Sequence, residues 1–324
     1  MINKEVTVLT SKIILAIQHS IKVEKANLHE PLINEDDVKS VTKTLETNFV
    51  SSVGKDIQDF EKNLSEYTKA KYVIAMNSGT SALHISLLVN KVRENDEILV
   101  PAFTFVASAN AIRYCNAIPH FVDSETTNLG VDVKKLTNYL KTNSKLVNGE
   151  CININTGRRI SSILVVHIFG FIGDIRALIK LAKKFKLNII EDATEALGSF
   201  KNSKHAGTFG KCGCLSFNGN KIITTGAGGA LLTNDPNLAN HARHLSTTAK
   251  LKHKYEYDHD QIGYNYRMPA INAALGISQL KKLSQFIIAK KKIRNAYFQN
   301  FEKISGVKFI KGSKGIDSNF WLNS

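Results

Sequence analysis

The feature that most constrains the fold is an alternation of helix-like and strand-like segments between residues 57 and 192. Ile57, Phe60, Leu64 and Tyr67 recur every three or four residues, which places them on one apolar face of a helix. Strands are expected at 71–76, 97–100, 118–122, 162–168 and 187–190, and helices at 82–89, 104–114, 175–185 and from 132 onward. This alternation predicts an α/β fold in which a mainly parallel sheet is covered by helices on both faces.

The remaining segments predict additions to this sheet. Residues 142–159 are polar and are expected to form a surface excursion, while 215–217 and 229–233 are short strands around a glycine-rich turn. Residues 269–304 favour helix over a length that predicts a break or bend, and strands are expected at 307–310 and 319–322. We expect an N-terminal segment (1–45), a large domain (46–280) and a small domain (281–324). The small domain looks cut short, because two short strands cannot bury a core.

Charge and cysteine content narrow the functional class. Lysine and arginine outnumber acidic residues by 43 to 28, which gives a formal net charge of +15. No long basic run or nucleic-acid motif accompanies that charge, so we expect a lysine-rich surface and no nucleic-acid partner. The apolar run at 13–17 is too short for a signal peptide or a membrane helix, which predicts a cytoplasmic protein. We expect reduced core thiols and no metal site from Cys115, Cys151, Cys212 and Cys214.

Polar residues follow three of the expected strands, and the carboxyl ends of parallel strands form the sheet edge where ligands bind. The first segment is Ser78-Gly79-Thr80-Ser81, which joins a strand to a helix. Small residues at a helix N-terminus let a phosphate approach the backbone N–H groups. A serine that only caps a structural helix explains the same residues, so both interpretations stay open.

The other two segments carry a carboxylate and a lysine. Asp192, after Glu191, could bind a metal, orient a ribose, hold a protonated ring nitrogen or only cap a helix. Lys221 lies between Ser216 and the glycine-rich turn at 226–229, with no acidic residue within ten positions. Desolvation there would lower the pKa of the lysine and free a nucleophilic amine, unless Lys221 is only a surface residue beside a turn.

Together the three segments match the requirements of pyridoxal 5′-phosphate (PLP). A lysine forms a Schiff base with this cofactor, and an aspartate keeps its pyridine nitrogen protonated so that the ring accepts electrons. The small-residue turn would hold the phosphate. Phe103 or Phe105, which follow the strand at 97–100, would supply a flat group against the ring.

An ordered set of motifs resembles the DegT/DnrJ-type sugar aminotransferases, which are fold-type I PLP enzymes that aminate nucleotide-linked keto sugars. The motifs are SGTSALH (78–84), PAFTF (101–105), VHIFG (166–170) with Asp174, EDA (191–193), SF with Lys221 and the turn at 226–229, and GYNYR (263–267). The segments LHEP (28–31) and NFVSSVG (48–54) are most similar to the branch that makes 4-amino sugars for legionaminic-acid-type nonulosonates. The resemblance implies a large domain with a mainly parallel seven-stranded sheet between helices, and a smaller α+β carboxyl-terminal domain.

The resemblance also implies roles for individual residues. Lys221 would form the internal aldimine and move protons, and Asp192 would pair with the pyridine nitrogen. Glu195 lies where the family commonly has glutamine near the ring hydroxyl, and Ala227 replaces a glutamate often found in the glycine-rich turn. Asn265 would reach the phosphate of the neighbouring subunit, so a homodimer with shared active sites is expected. The remaining cofactor contacts would come from Phe105, Ser78, Gly79, Thr80 and Ser216.

The expected reaction moves an amino group from glutamate, through PLP, to C4 of a UDP-linked 4-keto-6-deoxy sugar in nonulosonate or surface-polysaccharide biosynthesis. One alternative is a PLP-dependent sugar dehydratase on the same scaffold, although such relatives replace the lysine with histidine and this chain has Lys221. A second alternative is a catalytically impaired remnant of the family, because the carboxyl-terminal domain looks incomplete.

Overall fold

The computed structural model describes residues 4–324 and contains two sheets. In chain order the strands are β1 (Tyr72–Met76), β2 (Glu97–Pro101), β3 (Ile118–Val122), β4 (Ser144–Val147), β5 (Glu150–Asn153), β6 (Arg159–Val166), β7 (Asn188–Asp192), β8 (Phe200–Lys201), β9 (Lys204–His205), β10 (Cys212–Ser216), β11 (Gly229–Thr233) and β12 (Ile316–Asp317). The helices are α1 (Lys4–Ile21), α2 (Glu35–Glu46), α3 (Lys55–Thr68), α4 (Gly79–Val89), α5 (Val106–Tyr114), α6 (Val133–Asn143), α7 (Ile175–Phe185), α8 (Pro236–Ser246) and α9 (Ala270–Phe301).

The central sheet has the expected architecture. Among the described residues, seven strands follow the order β1-β11-β10-β7-β6-β2-β3. Strands β10, β7, β6, β2 and β3 run parallel to one another, whereas β11 runs antiparallel to both β1 and β10. The prediction of a mainly parallel sheet between helices is therefore confirmed. The hairpin β4–β5, which pairs with β6 off this path, raises the number of described strands in the sheet from the expected seven to nine.

Apolar residues cover both faces of this sheet. One buried cluster contains Phe60 and Leu64 of α3, which confirms the predicted helical stripe. The other cluster contains Cys212 and Cys214, whose spacing of two places both on the same face of β10. All four cysteines are buried free thiols. Within residues 4–324, no helix combines the length and apolarity needed to cross a membrane.

The polar segment at 142–159 is more ordered than the expected surface excursion. It contains the antiparallel hairpin β4–β5, and β5 also pairs with β6. Asn148 and Gly149 form the turn, both with positive φ (50° and 81°). An Asn-Gly pair is the residue pair that a two-residue hairpin turn favours, so the sequence carried a hairpin signal that its polarity obscured.

The expected break in the helix at 269–304 is wrong. Helix α9 is continuous for 32 residues and packs against α1, α2 and α3, whose contacts support it along its length. The expected domain boundary at residue 280 falls inside this helix.

The strands expected at 307–310 and 319–322 are also wrong, because neither segment has strand structure. Instead the two-residue strand β12 pairs with β8 in a small antiparallel sheet that includes β9. Asn319 explains why the second segment stays irregular. Its side-chain amide donates to the carbonyl oxygens of Glu195 and Leu197, and its Oδ1 accepts from the Trp321 N–H. These side-chain bonds replace the ladder of a strand.

Candidate active site

A cavity of about 330 Å³ lies where β1, β7 and β10 end. Eight of the nine residues expected to bind the cofactor line it: Ser78, Gly79, Thr80, Phe105, Asp192, Glu195, Ser216 and Lys221. Ala227 of the glycine-rich turn lines it as well. The sheet therefore brings the three sequence segments to one place, as the carboxyl-edge argument predicts.

The small-residue turn forms the N-terminal end of helix α4. Ser78 is the N-cap, and its Oγ accepts a hydrogen bond from the Ser81 N–H at 3.0 Å. Gly79 follows, and a Cβ at this position would lie 2.9 Å from the Cβ of Ser216 and 3.1 Å from Thr194. The Ser78 side chain is therefore a helix cap. Glycine at position 79 lets the first turn of α4 lie close to Ser216 and Thr194 in the cavity lining, where its backbone N–H groups can bind an anion.

Asp192 ends β7 with its carboxylate held at both oxygens. Oδ2 accepts from the Ser108 hydroxyl at 2.6 Å, while Oδ1 accepts from the Thr194 hydroxyl at 2.7 Å and the Thr194 N–H at 3.2 Å. The neighbouring Glu191 has a different environment. Its carboxylate is buried and receives His167 Nε2 at 2.8 Å and the N–H groups of Gly207, Phe209 and Gly210.

These contacts separate the roles of the two carboxylates. Burial would raise the pKa of Glu191, but the hydrogen bonds from His167 and the backbone lower it below its usual value. Glu191 thus fixes the loop after β9, whereas Asp192 lies in the cavity lining. Of these two carboxylates, that of Asp192 is the one placed to contact a ligand in the cavity.

Lys221 lies between an acidic side chain and an aromatic ring. Its Nζ is 3.6 Å from Glu195 Oε1 and 3.8 Å from the centroid of the Trp321 ring. Burial lowers the pKa of Lys221, although the charges of Glu195 and Asp192 oppose that shift. The predicted direction of the pKa shift is confirmed. Although no acidic residue lies near Lys221 in sequence, the lysine has an acidic partner in the structure. The segment after β7 brings Glu195 to it.

Glu195 is also buried and positioned from two sides. Its Oε2 accepts from the Phe169 N–H at 2.8 Å, and its backbone carbonyl accepts from Asn319. Burial raises the pKa of Glu195, and the nearby Lys221 opposes this only in part. Phe169 has a positive φ of 53°, an uncommon conformation for a residue with a side chain, which aims its N–H at the carboxylate.

The aromatic residues and Asn265 have distinct positions. Phe105 is the N-cap of α5, is 70% exposed and lines the cavity. Phe103 lies outside that lining and packs edge-on against Phe169. Asn265 is exposed and also lies outside the lining, and its backbone carbonyl accepts from the Asn77 side chain. Its expected reach to a neighbouring subunit stays a prediction.

Sequence reasoning missed three residues of this site. Trp321 is buried, lines the cavity and donates its indole N–H to the carbonyl of Asn220 at 2.7 Å. Ser108 and Thr194 hold the carboxylate of Asp192. Thr194 follows Asp192 by two residues and could have been found as a local side-chain bond. Ser108 and Trp321 reach the site only through tertiary structure.

Comparison with known proteins assigns the chain to a family. The model of the DegT/DnrJ/EryC1/StrS aminotransferase family matches residues 31–323. The chain belongs to this aminotransferase family. A GDP-perosamine synthase of Escherichia coli O157:H7 is 35% identical over 297 residues, which cover 92% of this chain and 76% of the relative. The UDP-4-amino-4,6-dideoxy-N-acetyl-beta-L-altrosamine transaminase of Campylobacter jejuni (serotype O:23/36, strain 81-176) is 33% identical over 272 residues, 84% of this chain and 68% of the relative.

Solved structures agree with this assignment. PseC of Helicobacter pylori, an aminotransferase involved in the biosynthesis of pseudoaminic acid, superposes with a TM-score of 0.81. It is 28% identical, and the match covers 92% of this chain and 76% of PseC. The protein is thus a PLP-dependent aminotransferase with the fold of that class.

The residues present fit this cofactor. The N-terminal turn of helix α4 at Ser78–Thr80 lines the cavity, and the same lining contains a buried amine and an ionisable carboxylate. These are the three groups that PLP requires of a protein.

Proposed function

We propose that this aminotransferase binds PLP through Lys221 and transfers an amino group to a nucleotide-linked keto sugar. The observation that carries the proposal is the single cavity lined by Lys221, Asp192 and the turn at Ser78–Thr80. PLP bound there supplies the electron sink that labilises bonds to the reacting carbon. The protein supplies the amine, the anchoring charges and the shape of the cavity.

Each group has a task that follows from its surroundings. Asp192, held by Ser108 and Thr194, would keep the proton on the pyridine nitrogen, because its carboxylate cannot turn away from the ring. Gly79, Thr80 and Ser216 would bind the phosphate, beside the helix cap of Ser78. Phe105 would cover one face of the ring, and Lys221 would carry protons to and from the substrate carbon.

The substrate assignment rests on the relatives. Those named for their products or reactions handle GDP-linked or UDP-linked amino sugars, which supports a nucleotide-linked keto sugar. We assign a UDP-linked 4-keto-6-deoxy sugar of legionaminic-acid-type biosynthesis as the substrate and glutamate as the donor. A GDP-linked sugar is the second candidate, because three relatives are named GDP-perosamine synthase. A cytoplasmic homodimer, with Asn265 reaching the partner subunit, completes the proposal.

The lysine assignment is tested by trapping. PLP-loaded protein is reduced with borohydride, digested and mapped by mass spectrometry. We expect the pyridoxyl label on Lys221, because its buried amine lines the cavity. Lys290, whose pKa burial lowers to about 8, is the internal comparison, and a label there instead contradicts the assignment.

The substrate is tested by incubating the loaded protein with glutamate and matched UDP-linked and GDP-linked 4-keto-6-deoxy sugars. We expect mass spectrometry to detect the 4-amino sugar from the UDP-linked substrates, and the Lys221→Ala variant to form none. Amination of only the GDP-linked sugars would select the second candidate. Loss of water without gain of nitrogen would instead identify a dehydratase.

A further inference from the structure

The pair formed by Lys221 and Glu195 has the geometry of a proton donor and acceptor. Lys221 Nζ and Glu195 Oε1 are 3.6 Å apart, and the two side chains are only 13% and 11% exposed. Glu195 Oε2 is occupied by the Phe169 N–H, so Oε1 is the oxygen turned to the amine. The Trp321 ring covers the amine from another side. A small movement of either side chain closes the distance to that of a hydrogen bond.

Burial brings the proton affinities of the two groups closer together. It raises the pKa of Glu195 and lowers the pKa of Lys221, because both charged forms lose hydration. Other charges modify this balance. The charge of Asp192 raises the pKa of both groups. His29 also interacts with Lys221, and its pKa falls to about 4 through burial and the charges of Lys290 and Lys221. The neutral pair is therefore closer in free energy to the ion pair than it is in water.

We propose that Glu195 is the catalytic base and acid that loads PLP onto Lys221. The neutral Lys221 amine forms a bond from Nζ to the aldehyde carbon, and the carbonyl π electrons move to oxygen. Glu195 Oε1 takes a proton from the nitrogen, which has become positively charged, and gives it to that oxygen. Glu195 moves the second nitrogen proton to the same oxygen as the C–O bond breaks, so one imine and one water form and Glu195 ends as a carboxylate.

The inference rests on the proposed function, because it requires Lys221 to be the attachment site. It adds a role for Glu195 in which the carboxylate itself is needed. A residue that only donates a hydrogen bond could not accept the proton. A residue that acted only through its negative charge would slow imine formation, because that charge stabilises the ammonium form of Lys221, which cannot attack.

The experiment follows the rate of imine formation, by absorbance, after protein stripped of cofactor is mixed with PLP across a pH series. In wild-type protein the rate should rise with pH to a plateau as the amine is freed. In Glu195→Gln the midpoint should move to lower pH by about one to three units, since an opposite charge is lost. The plateau itself should fall by about 10²-fold, the lower range of general acid–base effects.

The plateau rate decides the outcome. A Glu195→Gln plateau equal to or above that of wild type overturns the inference, because it leaves Glu195 as only an ion-pair partner. Glu195→Ala is the second variant, in case Glu195→Gln fails to fold by circular dichroism. Formate can enter the space left by the side chain, and the plateau should rise with formate concentration. A Glu195→Ala plateau equal to that of wild type, or a lowered one that formate does not raise, likewise contradicts the role.

Two controls separate this inference from the proposed function. Lys221→Ala should form no imine, and imine formation at the wild-type rate in that variant would refute the attachment site itself. Loss of the imine in Lys221→Ala with an unchanged Glu195→Gln plateau would refute only the role of Glu195. Asp123→Asn removes the exposed carboxylate of another lysine pair, with Lys135, and should leave the rate and midpoint unchanged.

Discussion

Asp192 shows how single hydrogen bonds fix the orientation of a carboxylate in the cavity lining. Ser108 joins α5 to the end of β7, because its hydroxyl is 2.6 Å from Asp192 Oδ2 and 2.8 Å from the Thr104 hydroxyl. Thr194 holds the other oxygen from the same chain segment. A hydrogen bond to a charged group is worth about 1.5–3 kcal/mol, so the loss of the Ser108 hydroxyl would release one oxygen of Asp192 and loosen its orientation.

We expect Ser108→Ala to lower kcat by about 10–100-fold and Asp192→Asn by about 10²–10³-fold or more, with both variants still binding PLP. Steady-state kinetics and the cofactor absorbance spectrum measure the two effects. Ser246→Ala is the matched control, since Ser246 is also fully buried but donates only to the Arg243 carbonyl. Normal transamination by Asp192→Asn would make Asp192 a structural residue.

At the scale of elements, periodicity predicted the parallel sheet and most of its helices because apolar spacing depends on local sequence. Helix α7 spans Ile175–Phe185 as expected. The secondary-structure predictions fail where tertiary contacts, and not local sequence, determine the structure. Packing against three helices keeps α9 continuous through a length that suggested a break, and the side chain of Asn319 replaces strand pairing near the carboxyl end.

Gly276 tests the packing of α9, where helix propensity and close contact act in opposite directions. Alanine would favour the helix by about 1 kcal/mol. Its Cβ, however, would lie 2.7 Å from the Phe60 ring and 2.9 Å from Thr225, both in the core, and such overpacking costs about 1–3 kcal/mol. We expect Gly276→Ala to lower the melting temperature, while Ile288→Ala at an exposed position of α9 changes it little. A higher melting temperature for Gly276→Ala would show that Phe60 can move away.

At the scale of the whole molecule, the site depends on segments distant in sequence. The sequence predicted which residues meet at the sheet edge, because strand ends in a parallel sheet converge. It could not predict the Trp321 ring over Lys221 or the Glu195 carboxylate beside it, because neither is fixed by local periodicity. The same folding buries histidines that lie outside the cavity lining, and these couple stability to pH.

His84 and His205 are buried, and burial lowers the pKa of each to about 4 from an ordinary value of 6.5. Between these pH values the unfolded chain binds protons that the folded chain does not, so stability is complete above 6.5 and falls as the pH drops towards 4. Each of these histidines therefore lowers the free energy of unfolding by about 2 kcal/mol between pH 7.5 and pH 5. The carboxylates with a lowered pKa, such as Glu97, lose their contribution only at lower pH.

His84 isolates this effect, because its ring packs against Tyr114, Tyr264 and Tyr266 and its Nε2 has no hydrogen-bond partner among the described residues. His84→Phe keeps an aromatic ring there and removes the titration. Urea unfolding followed by circular dichroism should give a drop in unfolding free energy between pH 7.5 and 5 that is smaller by about 2 kcal/mol than in wild type. His253→Gln, at an exposed position, should keep the wild-type drop. An unchanged drop in His84→Phe would mean that His84 takes up its proton in the folded protein near its ordinary pKa.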